Sequence, residues 1–484
     1  MYHITHKKAQ HRGKRAGLWT DNTINITRGH FTKSDAFANF TLAPDQAEAI
    51  SQIADWIASG QIAFALSGPA GTGKSYALAA LVHSRRDIVL SATTHKAAKV
   101  LADLMPDACP RTVHSVLGLR PVPNLNNGRL ILRQEGAPQV RFGELLVVDE
   151  ASMVDSQLLE RSLAHSKRSG FTVVLVGDSY QLPPVGETTS PVFGVVPTVT
   201  LTEVKRQAAE NPLLAVATQV RAAMDGQPFP HLDGGDRGLV RAEGEGFIGA
   251  LLEDFGGADY AYDADHCRAL AWTNARVIEL NAVIRRHLIG HEADKWPLIP
   301  GETFIVNEPI IEGDMVRFPT EARVEVQSVA FDALEDVETG LIVPGFKVEI
   351  ANDGNDGEVF VPSSREAAMA LLKAVKSKAD GLQRIASQSR GFADFGLDQE
   401  RRAAWRRYFA IKEKLADLRP PHACTVHKAQ GSTFNRAFVD LEDIGRANQP
   451  GTIARLAYVA LTRPRETAIV TGELPAGLYL RAAA

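Results

Sequence analysis

The residues best suited to chemistry form the run Gly68-Pro69-Ala70-Gly71-Thr72-Gly73-Lys74-Ser75. It satisfies the Walker A pattern G-x-x-x-x-G-K-[ST] at every fixed position. Glycines at those places let successive backbone N–H groups converge on phosphate oxygens, next to the positive end of the following helix. Lys74 is placed to neutralise the β- and γ-phosphates of ATP, and Ser75 to offer its hydroxyl to Mg²⁺. A pair of acids, Asp149-Glu150, ends the apolar run Leu145-Leu146-Val147-Val148. Such a run lifts Asp149 to the carboxyl edge of a parallel sheet, where it can hold Mg²⁺. Glu150 beside it can orient and deprotonate an attacking water. Gln181 follows another apolar run, Phe171 to Val176, and from there can span from the γ-phosphate to whatever lies over the sheet. Nucleotide hydrolysis is the chemistry these residues imply.

Strands and helices must carry those groups. Ile62 to Leu66 predicts a buried strand, and Ser75 to Leu81 a helix. Asp87 to Leu90 predicts the next strand, running into the polar loop Ser91 to Ala98 that opens a helix. Strands alternating with helices predict a doubly wound parallel sheet with ligands at its carboxyl ends. Upstream, Pro44 suits the first turn of a helix. Gln46 can donate and accept at once, as the edge of adenine requires.

The second half repeats the pattern, with strands over Ala269–Trp272, Ala437–Val439 and Ala468–Val470 and helices from Asn274 to Leu288, Pro212 to Met224 and Ile453 to Thr462. Within the first half, residues 119–142 hold Asn126-Asn127-Gly128 between β-forming flanks at Leu125 and Leu130-Ile131-Leu132, a hairpin signal. Residues 313–362 are short β-like runs split by Asp, Gly and Asn turns, which predicts a small β-barrel. From Ser364 to Leu418 the pattern is helical. Trp405, Tyr408 and Phe409, at i, i+3 and i+4, predict a packing surface.

A chain of 484 residues, 45% hydrophobic and 23% charged, has room for several globular domains. Cys109, Cys267 and Cys424 are far apart with no C-x-x-C pair, so neither a disulfide framework nor a zinc site is expected, and a reducing cytoplasmic setting is. No apolar run has the length of a membrane span, and no signal-peptide pattern is present. Net charge is −4, so any nucleic-acid binding must come from a local groove. Lys7, Lys8, Arg12, Lys14 and Arg15 precede the first acid, Asp21, and residues 1–40 are expected to form a flexible basic extension.

Taken in order, the motifs match a family. The chain resembles superfamily 1 type B DNA helicases, in the RecD-like, Dda-like branch. The resemblance is carried by Gln46, GPAGTGKS at 68–75, SATTHKAA at 91–98, RTVHSVLGL at 111–119, VVDEASM at 147–153 and GDSYQLPPV at 177–185. LTEVKRQ at 201–207, TVHKAQGST at 425–433 and YVALTRPRE at 458–466 continue it. It implies an α/β fold of two RecA-like P-loop domains with parallel sheets, an inserted hairpin subdomain, and an SH3-like β-barrel insertion with helical elaboration. The implied divisions are a first RecA-like domain over 41–118 and 143–200 and a strand-separating pin over 119–142. The second RecA-like domain takes 201–312 and 420–484, and the barrel with its helices 313–419.

The resemblance also implies roles. Gln46 matches an adenine-reading position. Arg206 and Arg463 match arginines that reach the γ-phosphate across the cleft, where such fingers contribute roughly 10³–10⁵ in rate. Gln181 and Gln430 flank the same cleft and would link nucleotide state to DNA grip. Thr93, Thr94, His95, Lys96, Thr112 and His114 on the first half, with Thr425, His427 and Lys428 on the second, resemble segments that contact single-stranded DNA. Hydroxyls, N–H groups and single cations suit a sequence-blind groove that follows the backbone. The implied function is 5′→3′ translocation on single-stranded DNA and opening of tailed duplexes. Single-strand-binding, replication or recombination proteins are expected partners. Two other readings share these residues: a motor subunit that needs partners to unwind, and a translocase that strips proteins from single strands.

Overall fold

Two all-parallel sheets carry the apolar runs, and burial on both faces explains why those runs lack polar alternation. The computed structural model describes residues 23–25, 39–204, 212–235, 238–312, 315–352, 354–388 and 395–479. The first sheet is ordered Thr198–Thr200, Ala63–Ser67, Thr172–Gly177, Leu145–Asp149, Ile88–Ala92, Arg111–Thr112, with every pairing parallel. Alternate residues of one strand face opposite layers. Phe64 and Leu66 pack with Ile53, Leu78 and Leu101 of three helices, Pro44–Ala58, Lys74–Ser84 and His95–Leu104. Ala63 and Ala65 belong to the other layer, with Leu158 of helix Ser156–Ser169 and Val116 of Val113–Leu117.

The second sheet is ordered Leu239–Arg241, Pro464–Thr471, Phe434–Asp440, Cys267–Ala271, Ala423–Thr425, again parallel throughout. Helices Gly244–Gly256 and Asn274–Ile289 cover one face through Phe247, Leu251 and Ile284. Pro212–Met224 and Pro450–Leu461 cover the other through Val220 and Leu456. Two sheets doubly wound in this way are two RecA-like domains.

The inserted hairpin pairs Leu119–Pro123 with Leu130–Gln134. The Asn-Gly signal does mark a hairpin, with a turn that spans 124–129. The Asn124 carbonyl accepts from Asn127 (3.1 Å) and Gly128 (2.8 Å), and only Gly128 of these residues is left-handed, at φ +67. A Cβ on Gly128 would stand 2.1 Å from the Trp405 ring. Leu125, expected on a strand, sits in the turn and packs on the same ring's cluster. The turn is shaped by a neighbour remote in sequence.

That neighbour lies in a helical hairpin, Arg365–Gln388 and Phe395–Lys414. Trp405 is 2% exposed. Tyr408 and Phe409 pack edge-on to one another, so the aromatic triad is a packing surface as expected.

The β-rich segment is an antiparallel sheet ordered Asn355–Pro362, Leu341–Asn352, Arg323–Asp336, Thr303–Val306, Leu418–Arg419, beside a separate hairpin of Ile310–Glu312 with Met315–Phe318. The short runs expected at Leu341–Val343 and Phe346–Ile350 are one strand through Pro344 and Gly345. Strand Arg323–Asp336 was not foreseen because only Val324 and Val326 of its residues are buried, leaving little apolar pattern. Thr303–Val306 and Leu418–Arg419 join this sheet from outside 313–362.

Part of the expected flexible extension is also ordered: Thr23–Asn25 pairs antiparallel with Asn39–Thr41. Its basic residues Lys7 to Arg15 lie outside the described residues. Among the described residues no helix is long and apolar enough to cross a membrane.

Candidate functional site

The phosphate loop is bent by Gly71 and Gly73, at φ +81 and +77. A Cβ on Gly68 would lie 2.7 Å from Thr72 Oγ1. The Thr72 hydroxyl donates to the Pro69 carbonyl at 2.9 Å, which fixes the curl. Helix Lys74–Ser84 starts on Gly73 with no side-chain cap, so its first N–H groups face outward as an anion site requires. The Lys74 ammonium folds onto the loop's own carbonyls, Gly68 at 2.6 Å and Pro69 at 3.1 Å. Ala70 and Ser75 complete the loop and the first helical turn.

Gln46 is placed differently from a free adenine reader. It is 2% exposed. Its Nε2 donates to the carbonyls of Thr72 (3.1 Å) and Gly73 (3.3 Å), while its Oε1 accepts from Ala43 N at 3.1 Å. Both ends of the amide brace the phosphate loop against the first helix.

Asp149 stands at the carboxyl end of its strand, and its Oδ1 accepts from Glu150 N at 2.9 Å. Burial, then the neighbouring Glu150 carboxylate, push the Asp149 carboxyl well above the usual range; that backbone N–H and the Lys74 ammonium oppose the rise. Glu150 has left-handed backbone, φ 53 and ψ 42, and the turn Ala151–Met153 begins on it. A residue with a Cβ holds that conformation at a cost of about 1–3 kcal/mol, and functional sites are where such strain collects. Gly431 of the second domain faces the same acid: a Cβ there would be 3.8 Å from Glu150 Cγ.

Side chains of the second domain close on the first. The Gln430 amide donates to Gln181 Oε1 (3.1 Å), Ser152 Oγ (3.1 Å) and the Leu182 carbonyl (3.3 Å). Arg455 donates to the carbonyls of Ser179 (2.8 Å) and Gln181 (3.0 Å). The Tyr458 hydroxyl donates to Asp178 Oδ2 (2.7 Å) and accepts from the Ala70 N–H of the phosphate loop (3.1 Å). Burial, then the Asp178 carboxylate, raise the Tyr458 phenol far above its ordinary value, so it stays a donor. Arg463 points into its own domain, its guanidinium donating to the Val459 and Ser432 carbonyls and the Thr462 hydroxyl. Arg206 lies outside the described residues.

The expected DNA contacts fall on a repeated device. Thr94, Thr112 and Thr425 are helix N-caps, their hydroxyls accepting from the N–H of Ala97 (3.1 Å), Ser115 (3.3 Å) and Lys428 (3.3 Å). A capping hydroxyl still has its O–H to give. Thr93 donates weakly toward the Glu150 carbonyl, at 3.5 Å. Burial holds His95, His114 and His427 below the usual histidine range, which favours the neutral ring. The Lys96 ammonium lies 5.3 Å from the Phe434 ring centroid, and burial followed by the Arg268 charge lowers its pKa. His95, Lys96 and Lys99 line a cavity of about 1190 Å³, with Glu321 and Arg323 on its far wall.

Sequence reasoning gave no role to Tyr458, Asp178, Arg455 or Glu321. The first three sit inside or beside quoted motifs, and their partners belong to the opposite domain. Glu321 carries no sequence signal.

Residues 41–241 match a family model described as an AAA domain. Among solved structures, a Bacteroides Pif1 bound to ssDNA aligns with 91% of this chain and 94% of that one, at a TM-score of 0.46 and 15% identity. By sequence, the chain is 28% identical over 428 residues to the ATP-dependent DNA helicase Dda of Enterobacteria phage T4, spanning 83% of this chain and 92% of that protein. It is 37% identical over 182 residues to the ATP-dependent RecD2 DNA helicase of Deinococcus radiodurans, 36% of this chain and 23% of that protein. Similarity to Dda along nearly the whole of that protein, with the same ordered motifs gathered around one interdomain nucleotide site, is consistent with the superfamily 1 type B DNA helicases of the RecD-like and Dda-like branch.

Proposed function

We propose that this chain couples ATP hydrolysis to 5′→3′ stepping along single-stranded DNA and opens the duplex ahead of it. The observation that carries this reading is the Tyr458 hydroxyl, which touches the phosphate loop at Ala70 and the sheet edge at Asp178 from the other domain. A cleft wired in this way can change shape with the nucleotide it holds.

Lys74 and the 68–75 loop bind the phosphates, with Gln46 keeping the loop in shape. Asp149 and Ser75 would hold Mg²⁺: a hydroxyl and a carboxylate are hard oxygen donors, and the crowding of Asp149 by Glu150 is negative charge that a divalent cation balances. Held by those two residues, the cation would offset phosphate charge. Glu150 orients and deprotonates the water. Arg463, once turned out of its own domain's carbonyls, and Arg206 stabilise the transferring phosphoryl group. Gln181 and Gln430, in contact here, relay the nucleotide state.

Thr93, Thr94, Thr112 and Thr425 offer hydroxyl protons to DNA phosphates. His95, His114 and His427 offer neutral ring nitrogens, and Lys96 and Lys428 offer charge. Opening the duplex must oppose stacking of about 1.4 kcal/mol per step. The 119–142 hairpin, whose tip packs on Trp405, is assigned that role. The first RecA-like unit then takes 41–118 and 143–200, the second 201–312 and 420–484, and the barrel with its helices 313–419. Single-strand-binding and replication or recombination proteins are the partners this activity would meet.

The test is unwinding of matched duplexes with either a 5′ or a 3′ single-stranded tail, beside Lys74→Ala. Opening of the 5′-tailed substrate alone, lost in the variant, is expected. Opening of the 3′-tailed one alone would reverse the polarity. ATPase activity stimulated by single strands with neither duplex opened would favour a motor that needs partners.

A further inference from the structure

The loop 319–322 joins strands Met315–Phe318 and Arg323–Asp336 and meets the second RecA-like domain through an ion pair. The Lys428 ammonium donates to Glu321 Oε1 at 2.8 Å and also to the Asn307 side-chain carbonyl. Two of its three donor protons are therefore committed to the chain's own groups. Asn307 is fixed in turn, its amide donating to Asp417 Oδ2 at 2.7 Å.

Glu321 has φ +67, a left-handed backbone unfavourable for a residue with a Cβ. Such geometry persists only where the surroundings impose it. Here the Glu321 N–H donates to the Val306 carbonyl at 2.8 Å, and Ala322 N to Pro319 at 3.1 Å. The bend places Glu321 on the wall of the cavity that His95, Lys96 and Lys99 line from the first domain. Two other acids on that wall already have arginine partners, Asp265 with Arg268 and Arg323, and Glu302 with Arg285. Glu321 is the one that engages a cation of a strand-binding segment.

We propose that Glu321 is an internal stand-in for a DNA phosphate: it holds Lys428 when no strand is bound and is displaced by the backbone of an incoming one. The inference rests on the assignment of Lys428 to the DNA groove made above. A carboxylate and a phosphodiester present the same anionic oxygens to an ammonium, so the two compete for one cation. The competition weakens the grip at that phosphate, which a stepping enzyme must release on every cycle. It also makes the position of the 319–322 loop depend on whether a strand is bound.

Binding of a fluorescent oligothymidine to the full chain, followed by anisotropy across a salt series, tests this. Glu321→Gln should bind about threefold to tenfold more tightly at low salt. The slope of log Kd against log salt should change by less than about 0.7, the value of one phosphate neutralised on a single strand, because Lys428 meets that phosphate in both proteins. Glu321→Gly should do the same, and because glycine adopts φ +67 freely its folding is not in question. Both gains should vanish when Lys428→Gln is added. Wild-type affinity in Glu321→Gln and Glu321→Gly would overturn the proposal, as would a gain that survives loss of Lys428. Failure of the wild-type chain to bind the oligonucleotide would remove the helicase reading and this inference with it, a result distinct from equal binding by all variants.

Discussion

The Tyr458 hydroxyl lies 2.7 Å from Asp178 Oδ2 and 3.1 Å from the Ala70 nitrogen, so one oxygen of the second domain bonds both to the phosphate loop and to the end of strand Thr172–Gly177 in the first. A buried hydrogen bond to a charged acceptor contributes roughly 1.5–3 kcal/mol, and removing the donor leaves the acceptor unsatisfied. Tyr458→Phe keeps the ring and removes only that oxygen. DNA-stimulated kcat for ATP should fall about tenfold or more, with a smaller change in ATP hydrolysis without DNA. Steady-state ATPase with and without oligonucleotide measures both. Equal stimulation in variant and wild type would show that the contact does not couple the domains.

Arg463 is 6% exposed and bonded to two carbonyls and a hydroxyl of its own domain. If it swings to the γ-phosphate during turnover, Arg463→Ala should lower kcat by about 10³ while nucleotide binding survives, because the guanidinium acts in the transition state. Equilibrium binding of a fluorescent ATP analogue separates the two effects. A large loss of binding with kcat unchanged would place Arg463 in ground-state recognition instead.

The tip of the inserted hairpin rests on Trp405, where a Cβ on Gly128 would stand 2.1 Å from the ring. Gly128→Val must push the tip away from its support and cannot hold φ +67 without strain. Unwinding of a tailed duplex should fall severalfold while DNA-stimulated ATPase stays near wild type, since the nucleotide site is elsewhere. Parallel loss of both activities would mean the hairpin supports the fold rather than strand separation.

What could be read in the sequence follows from how local each rule is. The phosphate loop and its flanking strand and helix were legible because glycine placement, an apolar run and a helix start lie within one stretch. The alternation of strands and helices in both RecA-like domains was legible for the same reason. The hairpin was legible from its Asn-Gly turn, but the seating of its tip on Trp405 was not, because that partner comes from another insertion. Strand Arg323–Asp336 was hidden by its exposure. Thr94, Thr112 and Thr425 each sit where an N-cap belongs, a local signal that goes with their threonine hydroxyls. The pairing of Tyr458 with Asp178 lay in two motifs, but no local rule joins residues across a cleft.

His422 gives the chain an acid limit. Its Nδ1 lies 2.8 Å from the Tyr260 hydroxyl, and the Phe255 ring stands edge-on at 5.8 Å. Burial, then the charges of Arg268 and Arg285, push its pKa from 6.5 down to about 3. The folded-state value is below the unfolded one, so the contribution is complete above about pH 6.5, where both states are neutral. It is lost as pH falls from there toward 3, because the unfolded chain takes up a proton that the folded chain refuses. The slope is at most about 1.4 kcal/mol per pH unit for this one group. His95, His114, His165 and His427 are shifted in the same direction and add to it. Denaturant unfolding compared between about pH 7.5 and about pH 5 should show a clear loss of stability, and His422→Asn should show a shallower dependence by about one proton. An unchanged slope in that variant would mean the histidine is protonated in the folded chain and its burial is not what limits stability in acid.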